Sequence, residues 1–438
     1  MPLRAPSRTM VLGRRRAAEG GGQVEVVVVG AGVGGLAAAR GLHRDGHAVV
    51  VLEEAPAVRA SGGAVTLWPG ATAVLADLDV DAERLGRRLT RMERRSPDGR
   101  PLLSLDLRAA GGAVVTVPRG HLVDALAEGA TGSLVRTGAR CTGLAEGAED
   151  EDGDGGARPA VLLEGGGRAE ADVVVGADGA RSAVRAALHG DALRPTGATT
   201  WQLPPLPTGT ALDDGDTCLL LVGRAGMLGV NPCGDGLVQV WWDVRRTPAS
   251  GAGEERAGGA PHDDPEEPAR LLRRLFGGWR APEARAALAL LDDPRARLTA
   301  YERGTYRVHR PWGRGRATLL GDAAHAVPPA LAQGTNQALE DAAALARALR
   351  RPRAAADPAA ALRAYERASH PRTALVSEAS RREPTGRVLP EALLRAVPDR
   401  AATALLRGWL RATSDRTTGQ RTAGQRTAGR RTADDRAA

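Results

Sequence analysis

Lysine and isoleucine are absent from the 438 residues, and there are only one phenylalanine, two asparagines and three tyrosines. All 60 basic residues are therefore arginine, and with Gly, Ala and Pro abundant the bias reads as the codon usage of a GC-rich genome. The formal charge of +8 is spread along the chain among Asp and Glu, with no basic stripe and no recognition motif, so nucleic acid is not expected as a partner. Cys141, Cys218 and Cys233 are far apart and lack CxxC spacing. That excludes a disulfide framework, a zinc site and a dithiol electron relay, and no metal is expected. No run of eighteen apolar residues exists, which argues against a membrane-spanning helix. Arg14, Arg15 and Arg16 are not followed by an apolar signal core, so a cytoplasmic location is expected.

The ends of the chain carry little pattern. Residues 1–22 are Arg- and Gly-rich and are expected to be a leader without structure. Residues 413–438 hold a five-residue repeat (Arg416-Thr-Thr-Gly-Gln, Arg421-Thr-Ala-Gly-Gln and onward) that cannot bury a core and is expected to be a disordered tail. Between them, strands and helices alternate. Val24–Val29 is a β-branched run suited to a strand buried on both faces, Gly35–Asp45 reads as a helix and His47–Glu53 as the next strand. Further strands are predicted at Asp172–Val175 and Arg316–Leu320, and a helix at Ala338–Arg350. Glu146–Pro159 and Pro248–Pro268 read as loops. Thr199–Arg245, with apolar runs broken by Pro and Gly, reads as a mainly antiparallel sheet inserted into an α/β frame. The expected domains are a frame of residues 23–196 and 298–412 and an insert of residues 197–297. The amphipathic stretch Leu393–Leu410 suits docking on the frame better than a membrane surface.

Three motifs carry chemistry. Gly30-Ala-Gly32-Val-Gly34-Gly35 follows the first strand and opens the first helix. Gly30 permits the tight turn, Gly32 the approach of a diphosphate, and Gly35 close helix–strand packing. Free N–H groups and a positive dipole end then face the phosphates. Glu53 ends the second strand where a carboxylate accepts hydrogen bonds from a ribose, and it would repel a 2′-phosphate, so this site suits FAD or NAD. Gly321-Asp322-Ala-Ala-His325 follows another strand, where Asp322 can hold a polyol hydroxyl, and Pro328, Gly334 and Asn336 extend it. Asp178-Gly179 sits at a third strand's carboxyl end, where ligands of open α/β sheets bind.

In this order and spacing the three motifs resemble those of the class A flavoprotein monooxygenases, the family of p-hydroxybenzoate, salicylate and urate hydroxylases. The likeness runs from about Val24 to about Arg372. Val117-Pro-Arg119-Gly-His-Leu122 matches a family R-x-x-L whose Arg contacts the flavin. Gly62-Gly63 and Leu67-Trp68-Pro69-Gly70 resemble a segment ending W-P-N, with Gly70 in place of Asn. Two departures stand out. The family's Gly-Gln-Gly reads Ala332-Gln333-Gly334, and its W-R-G reads Trp201-Gln202-Leu203, the loss of a basic group pointing to a neutral ligand.

The resemblance implies a Rossmann-type, glutathione reductase-like FAD-binding domain with an inserted substrate sheet. It implies FAD bound by Gly30, Gly32, Gly35, Glu53, Arg119, Asp178, Gly179, Gly321, Asp322, Gly334 and Asn336. NAD(P)H and O2 would be co-substrates, binding without a second dinucleotide domain. Oxygen would pass from a flavin C4a-hydroperoxide to a small aromatic or polyketide-like molecule, by hydroxylation or epoxidation, of the kind found in secondary metabolism. Such an intermediate has to be kept from water, so an apolar pocket is expected, with Trp201, Leu221, Met227, Trp242 and Pro328 as its candidate lining. No catalytic base is singled out. His325 reads as packing beside the flavin turn, and nothing places Tyr301 or Tyr306 against a substrate. A flavin halogenase is excluded because its relaying Lys is missing. A reductase of the same frame and a non-catalytic FAD-binding protein stay open.

Overall fold

The computed structural model describes residues 9–11, 23–59, 62–128, 134–146, 158–207, 209, 212–213, 215–245, 266–350, 354–382 and 395–415. Most of both loop stretches and the repeat from Arg416 lie outside the described residues.

The frame is built on a five-stranded parallel sheet. Its order across the sheet is Ala317–Leu319, Val173–Gly176, Glu25–Val29, Ala48–Leu52 and Leu134–Arg136. The unbroken Val runs follow from burial on both faces, and Val26, Val27, Val28 and Val173–Val175 are fully shielded from solvent. Helix Val33–Arg44 buries Leu36, Ala38 and Leu42 in the core and packs against Gly334–Leu349. The small residues let the two helices approach closely: a Cβ on Gly34 would lie 3.1 Å from that of Ala338. All six predicted strands and helices of the frame occur, shifted by a few residues at their ends.

The second body is a large sheet in the order Thr299–Thr305, Arg194–Gln202, Leu237–Arg245, Gly226–Gly234, Thr217–Gly223, Arg91–Arg95 and Pro101–Asp106, with Leu206–Pro207 alongside. The expected insert supplies its middle. The last two strands come from residues 91–106, inside the stretch assigned to the frame, because Thr217–Gly223, the insert's outermost strand, pairs in parallel with Arg91–Arg95. One face of this sheet carries Trp201, Leu221, Leu228, Val240 and Trp242, packed against helices Glu267–Phe276 and Pro282–Ala289.

The few described residues of the expected leader and tail have partners in the frame, and the rest of both lie outside the described residues. Thr9–Val11 forms a strand parallel to Arg168–Glu170. Thr413, at the start of the expected tail, accepts a hydrogen bond from Gln337 through its carbonyl, and the Asp415 N–H donates to Glu340. Helix Asp399–Thr413 docks on the large sheet's edge, where the Ser104 N–H donates to Asp399 and the Asp106 N–H to Thr403. No helix among the described residues is long and apolar enough to cross a membrane.

Candidate active site

The fingerprint turn is built by close backbone approaches. Gly30 takes φ +104°, and a Cβ there would meet the Ala177 carbonyl at 2.4 Å. A Cβ on Gly35 would lie 2.0 Å from the Gly30 carbonyl, whereas one on Gly32 would meet nothing within 4 Å. Gly30 and Gly35 are thus demanded by packing, and Gly32 leaves an open flank beside a helix start that has no side-chain cap. Glu53 accepts from the Ala31 N–H (2.8 Å) and the Ala55 N–H (2.9 Å), which places its carboxylate against this turn. Each carboxylate oxygen keeps a further lone pair for a ribose hydroxyl. These features fit an adenine dinucleotide with its diphosphate at the helix start.

A cavity of about 210 Å³ lies between the frame and the large sheet. The frame contributes Ala64–Thr66, Arg119, Val327, Pro329, Ala332 and the donors around Asp322, Gly334 and Thr335. Asp322 has no side-chain partner among the described residues, and a Cβ on Gly334 would touch its Oδ1 at 3.5 Å. The free carboxylate and the uncapped start of helix Gly334–Leu349 fit the polyol and ring end of a flavin.

The sheet side of the cavity is polar, contrary to the apolar lining expected. Thr200, Gln202, Gln239, Asp243, Tyr301 and Arg303 face it, along with Asn231 and Trp241. Strand alternation is the reason. Trp201 pairs directly with Trp242, and both point into the core on the other face, as does Leu221. Met227 packs against the cluster around Trp68, and Pro328 is buried ahead of the turn Pro329–Leu331. These five expected lining residues are therefore not part of the wall. Of the adjacent tryptophans, Trp241 faces the cavity.

Within the wall, Thr200 Oγ1 donates to Asp243 Oδ1 (2.6 Å), and Arg303 Nη2 lies 2.7 Å from Asp243 Oδ2. Burial pushes the Asp243 carboxyl up, against the pull of Arg303 and Thr200. Gln239 Nε2 donates to Gln202 Oε1 at 3.3 Å. Gly63 makes room for this pair, because a Cβ there would lie 1.8 Å from Gln239 Nε2. Asn231, its amide oriented to satisfy both neighbours, accepts from Trp241 Nε1 at 3.2 Å and donates to the Val230 carbonyl at 3.1 Å. Burial, reinforced by Asp322, pushes the Tyr301 hydroxyl up to about 12, so it stays a neutral donor at the cavity. The sequence reading passed over Thr200, Gln239, Asp243, Arg303, Thr335 and the second asparagine, Asn231, and only for Asn231 did the composition carry a signal, its rarity.

Two expected cofactor residues serve the chain itself. Asp178 accepts from Ser182 Oγ (2.5 Å) and from the Ala183 and Val184 N–H groups (2.7 and 3.2 Å), capping helix Ala183–His189, while Gly179 at φ +77° opens the preceding turn. Asn336 is 1% exposed and binds three backbone groups on two segments, so it braces the site from behind. Gly321 (φ +62°) starts the turn into Asp322, and its N–H donates to Asp341 (3.1 Å). His325 is buried, 2.6 Å from the same carboxylate. Burial works against that carboxylate, but Arg372 and His325 outweigh it and hold Asp341 low. Tyr306 donates to the Ala180 carbonyl at 2.7 Å, away from the cavity wall. Gly70, where the family has Asn, abuts Glu340: a Cβ there would lie 2.2 Å from Oε1.

A dinucleotide turn, a flavin-ring turn and a walled cavity between two bodies converge here. The FAD binding domain family matches residues 23–380. The chain belongs to that family. It is 32% identical to the aurachin C monooxygenase/isomerase of Stigmatella aurantiaca, covering 74% of this chain and 80% of that one. It is also 32% identical to a 3-amino-4-hydroxybenzoate 2-monooxygenase of Streptomyces platensis, covering 86% and 91%. The Klebsiella pneumoniae protein HpxO, solved with FAD and uric acid, superposes with a TM-score of 0.75 at 27% identity, over 89% of this chain and 97% of that one. This family member is an FAD-dependent monooxygenase, an oxidoreductase that draws electrons from NAD(P)H. The reductase and non-catalytic readings are not favoured.

Proposed function

We propose that this monooxygenase hydroxylates a small aromatic molecule held between the flavin-binding turns and the polar face of the large sheet. The observation that carries the reading is the composition of one cavity wall, in which Asp322, Gly334 and Thr335 of the frame meet Trp241, Tyr301 and Asp243 of the sheet. At about 210 Å³ the cavity is below the range of roughly 300–1,000 Å³ typical of drug-sized ligands, which favours one or two fused rings over a large polyketide. Relatives named for aminohydroxybenzoate and urate chemistry support an aromatic ring.

Bound FAD, reduced by NAD(P)H, supplies the activated oxygen. The chain's own part is to bind and to exclude water. Trp241 offers a flat apolar contact, Tyr301 a neutral hydroxyl, and the buried wall residues fix the ring's rotation. Arg119, Asp178, Gly179 and Asn336 belong to this reading in different ways. Arg119 borders the cavity and would contact flavin, whereas the other three shape the turns around it.

The test is a panel of aromatic compounds added to the purified yellow protein under 18O2. We expect at least one compound to accelerate NAD(P)H oxidation and to leave with one labelled oxygen. Label-free product, or no acceleration by any ring compound, would sink the reading.

A further inference from the structure

Asp243 and Arg303 form an ion pair across the intervening strand that carries Thr200, with side chains only 3% and 2% exposed, yet both border the cavity. The pair is incompletely satisfied inside the chain. Asp243 Oδ2 lies within 2.7 Å of Arg303 Nη2 but lacks a well-directed hydrogen bond, and Arg303 Nε has none. Buried polar atoms without partners are costly, and a buried ion pair serving stability alone is replaceable by apolar residues. Next to it, the bond between Gln239 and Gln202 leaves Gln202 Nε2 and Gln239 Oε1 without partners among the described residues. The wall thus offers acceptors and donors side by side while the pair's charges cancel. A carboxylate brought against it would meet Asp243, with the nearest cation already neutralised. Arg119 also borders the cavity, its Nη1 and Gln202 Nε2 lying 3.8 and 3.1 Å from the point that a Cβ on Gly62 would occupy.

We infer, building on the hydroxylase reading, that Asp243 and Arg303 are the specificity-determining edge for a neutral ring bearing neighbouring N–H and C=O groups, a lactam. The ring N–H donates to the Asp243 carboxylate, and the ring carbonyl accepts from the Arg303 guanidinium. Ring carboxylates are rejected by the same pair. The arrangement agrees with Gln202 standing where the family carries an Arg.

The probes are 2(1H)-quinolone and quinoline-2-carboxylate, titrated into the FAD-loaded full chain and followed by flavin difference absorbance. Wild type should bind the quinolone at least about ten-fold more tightly than the carboxylate, since the wall's polar groups are matched only by the former. Asp243→Asn uncovers the Arg303 charge. It should weaken quinolone binding about ten-fold and tighten carboxylate binding, so that the preference inverts. A pair with only a structural role would weaken both probes together, and that result overturns the inference. So does a wild-type preference for the carboxylate, or no response to the quinolone. If Asp243→Asn does not hold flavin, the uncharged double variant Asp243→Asn/Arg303→Gln replaces it. It should bind the two probes within about three-fold of each other, and a retained quinolone preference would refute the assignment. A colourless wild-type chain would sink the hydroxylase reading together with this one. A yellow, NAD(P)H-oxidising protein that prefers the carboxylate sinks this one alone.

Discussion

Asn336 accepts the backbone N–H of Trp68 through Oδ1 at 2.7 Å, across 268 residues of sequence. Its Nδ2 donates to the carbonyls of Thr66 (2.9 Å) and Ala332 (2.6 Å). One amide therefore ties the cavity-lining strand Ala64–Leu67 and the loop at Ala332 to the helix that begins at Gly334. These three bonds brace the flavin-side wall from behind.

Asn336→Ala strands three backbone groups at a site only 1% exposed. We expect a loss on the order of 2–4 kcal/mol, with flavin released at lower urea than in wild type. Urea titration with tryptophan and flavin fluorescence measures both. A loss under about 0.5 kcal/mol would remove the bracing role.

Gly32 and Gly35 should separate cofactor binding from folding. Gly32→Ala meets open space in the chain and is expected to fold normally but lose most FAD affinity, as the methyl occupies the diphosphate's approach. Gly35→Ala, with its Cβ 2.0 Å from the Gly30 carbonyl, should disrupt the turn itself and lower stability. Circular dichroism and flavin content distinguish the two. Full FAD affinity in Gly32→Ala would contradict the placement of the diphosphate.

Ala332 sits at φ +49°, ψ +39°, in the left-handed region where the family carries Gly. An L-residue there costs roughly 1–2 kcal/mol, while Gly restores about 0.4–1 kcal/mol of unfolded-chain entropy. Ala332→Gly should therefore stabilise the protein by about 0.5–1 kcal/mol, seen as a raised urea midpoint. A lowered midpoint would show that the loop has already relieved its strain.

Glu340 is buried beside Arg372, and burial pushes its carboxyl up to about 7 from an ordinary 4.5, with Arg372 and the Asp415 N–H opposing. Because the folded value exceeds the unfolded one, its favourable contribution is present below about 4.5 and is lost as pH rises through about 7. Glu340→Gln cannot ionise. It should match wild type near pH 4.5 and exceed it in stability near pH 8. A stability difference that is constant across this range would show that Glu340 does not titrate in that window.

The frame was legible because its signals are local. The Val24–Val29 run, the glycine turn after it and Glu53 at the next strand's end lie within one βαβ unit, and each residue's backbone demand is set by its neighbours. Asp322 and Gly334 also stand out locally in the sequence, and both border the cavity. The substrate wall was not. Trp241 and Trp242 are adjacent and chemically equal, and strand alternation alone sends one to the cavity and the other to the core. Nothing local says which face the helices at Glu267–Phe276 and Pro282–Ala289 will cover.

By itself the sequence determined the parallel sheet, the nucleotide turn and the family's flavin chemistry, since these rest on φ angles, helix starts and apolar runs that short stretches dictate. Only the tertiary structure decided that the cavity is polar, that Asp243 meets Arg303, and that Asn336 braces backbone on either side of the site. Those outcomes depend on strand register and on which two bodies close over a given face, and such pairings join residues dozens to hundreds of positions apart.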